Sequence, residues 1–304
     1  MDLSVIIVNW NTKNLLVECI DSIYTAPPNS EFDIWVVDNS STDGSPEIIR
    51  NRYPEVNLIV NKENIGFAKA NNQAFNQCRG KYILLLNPDT VVKPEAIEKL
   101  CRFLNQLPEV GMVGPRLINA DKTLQISAFP IPTLSKEFWR LFHLDVFVPY
   151  GKYPMKDWDV DTAREVDTLL GACMLIRREA LGKSNLFDEE YFIYSEEVDL
   201  CARLKKGSWH LYWLPSAVVI HYGSQSTQQV AEDMFLKLYA GKILYFRKHR
   251  SKFAVLVYKI ILFLATISRL VLTPFALIEE PVKRDEHLVL SNYYRRLLWS
   301  LPSL

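Results

Sequence analysis

Apolar residues arrive in short runs, and each run closes on a polar cluster. Residues 3–8 form one such run, rich in β-branched side chains, and Asn9-Trp10-Asn11 follows. Residues 32–37 close on Asp38-Asn39-Ser40-Ser41-Thr42-Asp43-Gly44, and residues 56–60 precede Asn64-Ile65-Gly66. Tyr82–Leu86 closes on Asn87-Pro88-Asp89. Runs of this length, bounded by Gly, Pro or Asn, predict strands. Tyr82–Leu86 has no polar break, as expected of a strand buried on both faces. Pro88 has no backbone N–H and stops it.

Between the runs the spacing turns helical. Leu15, Leu16, Cys19, Ile20 and Ile23 predict a helix from about residue 13 to 24, ended by Pro27-Pro28. Further helices are expected from Gly44 to about Tyr53, over residues 67–77, and over residues 93–107 with Pro94 in the first turn. This alternation predicts the α/β class: a mostly parallel, Rossmann-like sheet with helices on both faces. Ligands of such sheets lie off the carboxyl ends of the strands. Asp38, Asn64, Gly66, Asn87 and Asp89 are therefore expected along one edge, with Asn9 at the end of the first strand.

A carboxylate beside an amide at such an edge suits a hard cation, Mg²⁺ or Mn²⁺, which takes oxygen ligands and shares them with phosphates. Asx turns after the strands explain Asp89 and Asp38 as well. Gly66 permits a left-handed turn that would let N–H groups of the next helix approach a phosphate. A plain connecting turn is the alternative.

Further along, residues 110–113 read as a short strand. Residues 129–161 are rich in proline and aromatics and show little periodicity. They are expected to be a long functional loop, or a surface insertion. A strand is expected within residues 166–177. Ser195 is a good N-cap, and Glu196 and Glu197 then fall in a first helical turn, where the helix dipole favours negative charge. Residues 209–220 read as a strand pair interrupted by Pro215 and leading to His221.

Charge narrows the partners. Lys and Arg number 35 and Asp and Glu 35, so no overall basic field argues for nucleic acid. The 304 residues allow one large or two modest domains. The 5 cysteines are scattered without a CxxC pair, which suits buried thiols in a reducing compartment. No basic segment followed by an apolar one opens the chain, so no signal peptide is evident and the catalytic part is expected in the cytoplasm.

The tail differs. Residues 247–252 are basic, and residues 253–278 are apolar and long enough to span a bilayer. Lys252, Lys259, Thr266, Arg269 and Thr273 fall on one stripe at about 100° per residue. This predicts a helix lying in the membrane interface, with the basic run on anionic head groups at the cytoplasmic face of the plasma membrane. Arg284, Arg295 and Arg296 add to the basic side. The alternative is a helix packed on the catalytic domain with its stripe in water.

The segments VIIVNWN, VVDNSSTDGS, NIGFAKANN and LLLNPDT resemble the successive signatures of the inverting family 2 glycosyltransferases, which have the GT-A fold. They are most similar to the rhamnosyltransferase-like branch, over about the first 225 residues. The resemblance implies that residues 1–225 form the nucleotide-sugar-binding and catalytic domain, with residues 226–304 a helical, membrane-docking region. It implies that Asp38 contacts the nucleobase and that Asp89 is the metal aspartate of a D-x-D-type motif. Asn87 stands where many relatives have the first aspartate. Gly171 matches a family glycine that lets a sugar approach backbone; Asp167, nearby, is a sugar contact or a solvated loop acid. Relatives carry a Glu-Asp pair at Glu196 and Glu197, and the second acid is the general base. The Glu-Glu departure leaves Glu197, Glu196 and Asp199 as candidates. His221 matches the family's histidine that completes the metal or diphosphate site.

The implied reaction moves a sugar from a dTDP- or UDP-sugar donor, dTDP-rhamnose first, to a polyprenyl-linked saccharide in surface polysaccharide assembly. A sugar nucleotidyltransferase should show a glycine-rich phosphate loop with a basic residue after the first strand, and Asn9-Trp10-Asn11 has neither. A non-catalytic nucleotide-sugar-binding module is the remaining reading.

Overall fold

The computed structural model describes residues 1–223, 227–274 and 281–304. Ser224, the expected boundary at residues 225 and 226, and residues 275–278 of the apolar run lie outside the described residues. The chain divides into two compact units: Met1–Ile131 with Tyr153–Gln229, and Pro132–Lys152 with Val230–Leu304.

The first unit opens with β1 (Leu3–Asn9), α1 (Lys13–Thr25), β2 (Phe32–Asp38), α2 (Ser45–Arg52), β3 (Asn57–Val60), α3 (Phe67–Phe75) and β4 (Tyr82–Leu86). β5 (Thr90–Val92), α4 (Ala96–Gln106), β6 (Val110–Ile118) and β7 (Ala128–Phe129) follow. The chain then contributes α5 (Leu134–Leu141) to the second unit and returns with β8 (Arg164–Glu165), β9 (Thr168–Leu169), β10 (Cys173–Arg177), α6 (Glu196–Lys206) and β11 (His210–His221).

The described strands form a 9-stranded sheet in the order β3-β2-β1-β4-β10-β6-β11-β5, with β8 on β11; β7 and β9 pair separately. β1 to β4 pair in parallel, as do β6 and β11, while β10 runs antiparallel between β4 and β6. Strand order reverses beside β1, which opens a crevice at the strand ends. All seven residues of β1 and all five of β4 are buried. One face of the sheet meets Leu16, Ile20 and Ile23 of α1 and Ile97, Leu100 and Leu104 of α4, packed with Val5, Leu84 and Leu175. All five cysteines are buried and free.

Four local expectations change. Residues 129–161 are not without regular structure: Thr133 accepts from the Lys136 N–H and caps α5, whose apolar spacing is too short to stand out among prolines. The strand pair at residues 209–220 is one strand, β11, with a register shift between Leu214 and Val218 that absorbs Pro215. α4 begins at Ala96, because Glu95 lies in the left-handed region at φ 63° and breaks the helical backbone before it. Ser195 makes no side-chain cap; it lies in the left-handed region at φ 69°, directly after Tyr194 at 68°.

The second unit holds α5, α7 (Ala231–His249), α8 (Lys252–Leu272) and α9 (Pro281–Ser300). The polar stripe of α8 turns inward. Thr266 is buried, Arg269 donates to the Leu141 and Ala265 carbonyls, and Lys259 reaches the Pro302 carbonyl. Phe253, Leu256, Ile260, Phe263, Leu264, Val271 and Leu272 are exposed. Lys252 of that stripe stays exposed, and Ala254, Tyr258, Leu262 and Ala265 bury an apolar row beside it, so α8 is apolar on both its inner and its outer side. Glu137 on α5 is buried and meets Arg140 Nη2 at 2.7 Å and Lys242 Nζ at 2.9 Å.

Candidate active site

The register of β1 on β2 sets Asn9 beside Asp38. Asn9 Nδ2 donates to Asp38 Oδ2 at 2.8 Å, and the Thr12 hydroxyl donates to Asn9 Oδ1 at 2.7 Å. Asp38 Oδ1 accepts from the Ser41 N–H at 2.8 Å, which closes an Asx turn. Asp38 is buried, and each of its oxygens keeps a second lone pair for a ligand N–H.

Asn64 Oδ1 accepts from the Gly66 N–H at 3.0 Å. A Cβ on Gly66 would stand 2.6 Å from the Phe192 carbonyl oxygen, and φ there is +89°. The Phe67 N–H donates to that same carbonyl at 2.6 Å. Glycine is required here by a close backbone approach, and the N–H of Phe67, the first residue of α3, is engaged within the protein.

Asp89 and His221 come together from distant elements. The Tyr222 N–H donates to the Asp89 carbonyl at 2.9 Å, tying the end of β4 to the end of β11. His221 Nε2 then lies 3.4 Å from Asp89 Oδ1, both side chains being buried. On its other side His221 Nδ1 lies 2.7 Å from Gln125 Oε1. Gln125 Nε2 donates to Asn119 Oδ1 at 3.0 Å and to the His221 carbonyl at 3.3 Å. Those two acceptors orient the amide, so Oε1 faces the ring and Nδ1 carries the proton. Nε2 is left with a buried lone pair that makes no hydrogen bond. A lone pair facing a carboxylate suits a cation between them, and the Nδ1–H to carbonyl contact is what orients a ligating histidine.

Among the described residues no group of three or more His, Cys, Asp or Glu gathers. A metal at this pair would take its remaining ligands from water and phosphate oxygens, as Mg²⁺ and Mn²⁺ do. Asn87 sits between, half-buried, its N–H donating to the Ala172 carbonyl at 2.9 Å.

The acids of α6 separate by burial. Glu196 is 4% exposed, and its Oε2 is buried without a hydrogen-bond partner. Burial first, and then the charge of Glu197, push its carboxyl well above the usual range, which favours its neutral form. Glu197 is half-buried, and its stem packs over Gly171: a Cβ there would lie 3.7 Å from Glu197 Cβ. Gly171 adjoins Ala172, whose carbonyl holds Asn87, so Glu197 approaches the strand ends that carry Asp89. Asp199 is buried and paired with Arg203 Nε at 2.8 Å. Asp167 meets Lys205 Nζ at 2.5 Å and accepts from the Ile131 N–H at 3.1 Å, which fastens α6 to its flanking loops.

Gln125 escaped the sequence reading. It lies past the end of β6 with no motif around it, and only its contact with His221 marks it.

A doubly wound sheet with this edge defines the GT-A class of nucleotide-sugar-binding fold. Among solved structures, the mannosyltransferase PcManGT from Pyrobaculum calidifontis, in complex with GDP-Man and Mn²⁺, superposes with a TM-score of 0.57 at 17% identity, over 98% of this chain and 86% of that one. Residues 4–183 match the family described as glycosyl transferase family 2, and the chain belongs to that family. It is 32% identical to the N-acetylglucosaminyl-diphospho-decaprenol L-rhamnosyltransferase of Mycobacterium tuberculosis over 213 residues, 64% of this chain and 67% of that protein. It is 29% identical to the rhamnosyltransferase WbbL of Escherichia coli K12 over 178 residues, 56% of this chain and 66% of that protein.

Proposed function

We propose that this glycosyltransferase inverts configuration, uses Mg²⁺ or Mn²⁺, and transfers L-rhamnose from dTDP-rhamnose to a lipid-linked saccharide in surface polysaccharide assembly. The observation that carries the reading is the buried Asp89–His221 pair with its free Nε2 lone pair. The relatives' printed names support the sugar and the diphospho-polyprenol type of acceptor.

Asp89 and His221 would hold the cation, with Gln125 fixing the ring. A cation bound there offsets the charge that develops on the leaving diphosphate. Glu197 takes the proton from the acceptor hydroxyl as the new glycosidic bond forms opposite the leaving group. Burial of Glu196 favours its neutral form, which lessens the negative charge beside Glu197.

A panel of nucleotide sugars, with and without Mn²⁺, tests this by binding and by hydrolysis. Mn²⁺-dependent use of dTDP-rhamnose is the expected result. If a UDP-sugar is taken and dTDP-rhamnose ignored, the donor is the alternative UDP-sugar. Binding without turnover on any acceptor would leave only a binding module.

The second unit would dock on an anionic bilayer surface. The exposed apolar row of α8 begins at Phe253, directly after the exposed cations Arg250 and Lys252. The inward polar stripe leaves that row free to enter the acyl boundary while the basic run meets head groups. The protein should sediment with vesicles containing phosphatidylglycerol and stay in solution with pure phosphatidylcholine. Phe253→Ser with Leu256→Ser should release it. Equal partition of that variant and the parent would sink the docking surface.

A further inference from the structure

The first unit carries a half-open cleft of about 410 Å³ whose lining includes neither Asp89, His221 nor Glu197. Four of its walls are cationic, Lys93, Arg116, Lys122 and Lys156, and none of its lining residues is acidic. Among the described residues these four cations form no ion pair. Trp158 and Trp213 close one side, with ring centroids 5.2 Å apart.

Two buried donors there have no acceptor. Trp213 is fully buried, and its indole Nε1 has no hydrogen-bond partner; the same holds for the buried Nε of Arg116. Leaving such donors unsatisfied costs about 1–3 kcal/mol each. Four like charges around one space also repel unless an anion enters. Phosphoryl oxygens answer the clustered charge, because the outer N–H groups of Arg116 offer them a fork and the lysines point charges. The apolar side, Trp158 with Ile118 and Val160, suits a group attached to the anion, and the volume lies within the range of small-molecule sites.

The position gives the cavity meaning. Ile220 and Leu124 line it, and each precedes a residue of the candidate metal site, His221 and Gln125. Successive residues of β11 face opposite sides of the sheet, so the cavity lies behind the strand end that carries His221.

We propose that this cavity binds a phosphate- or diphosphate-bearing anion, held by Arg116 and the three lysines and flanked by Trp158. A lipid-linked acceptor diphosphate is one source, and that choice rests on the function proposed above. Free inorganic pyrophosphate is the other.

The test uses the full chain in EDTA, so that no divalent cation recruits diphosphate to Asp89 and His221. Inorganic pyrophosphate and geranyl diphosphate are titrated by calorimetry and by tryptophan fluorescence. Binding of at least one is expected, weakened about tenfold or more in Arg116→Gln/Lys122→Gln. Because Arg116 is half-buried, Lys93→Gln/Lys122→Gln, at two exposed positions, repeats the test in a chain whose folding is not at risk. Tighter binding of geranyl diphosphate assigns the cavity to the lipid-linked source, and equal binding assigns it to the free anion. Absence of binding at millimolar probe, or unchanged affinity in both variants, overturns the proposal. Mn²⁺-dependent dTDP binding, measured on the same variants, should be unchanged; its absence in the parent chain would count against the donor reading and leave the cavity result standing.

Discussion

Glu197→Gln should lower kcat by about 10²–10⁴-fold, the usual contribution of a positioned general base, and leave donor binding intact. The amide keeps the shape of the side chain and cannot accept the acceptor's proton. Glu196→Gln is the informative partner. Glu196 is buried and its neutral form is favoured, so an amide is a close substitute, and kcat should keep its order of magnitude. Turnover with a saccharide acceptor, alongside calorimetry of dTDP with Mn²⁺, separates the two. An active Glu197→Gln, or an inactive Glu196→Gln that still binds donor, would move the base to another residue.

Glu137→Gln should destabilise the second unit by about 3–5 kcal/mol, the range for breaking a buried ion pair from one side. Lys242 is 17% exposed on its side chain and would be left facing Arg140 without the carboxylate between them. Burial alone would raise the Glu137 pKa, but Lys242 and then Arg140 outweigh it and bring it down to about 2. A carboxyl held below its unfolded value stabilises fully above that value, about 4.5, and the stabilisation is lost as pH falls towards 2. Urea unfolding of the parent should therefore weaken steeply across that window. The variant should start lower at neutral pH and show a shallower slope. A variant with the parent's neutral-pH midpoint would show that the cluster is energetically idle.

The legible part of the fold was local. β4 is an unbroken apolar run because both its faces are covered, β1 and β2 are largely apolar, and such runs need no partner to be recognised. Asn87-Pro88-Asp89 could be placed at a strand end because Pro88 stops a ladder wherever it stands. The Phe67 helix was visible too, but the reason for Gly66 was not: Phe192, far along the chain, occupies the space a Cβ would need.

The candidate site shows the same division. Asp89, His221 and the two glutamates were found from their neighbours in sequence. Their burial and contacts came from packing. Glu196 and Glu197 are adjacent on one helix turn, and only the surrounding elements decide which is buried and which reaches the strand ends over Gly171. Gln125 has no sequence signal, because an orienting amide needs only to be near the ring it orients.

The sequence alone determined that an α/β sheet forms, that its polar clusters share one edge, and that the tail carries a helix with one polar stripe. Periodicity encodes the existence of a face. The tertiary structure decided what each face meets: the stripe of α8 turned to Leu141 and Pro302 with its apolar row outward. It also decided that residues 132–152 join the second unit and that β10 runs antiparallel between β4 and β6. Burial free energy depends on the surface that arrives opposite, and that surface comes from residues far away in the chain.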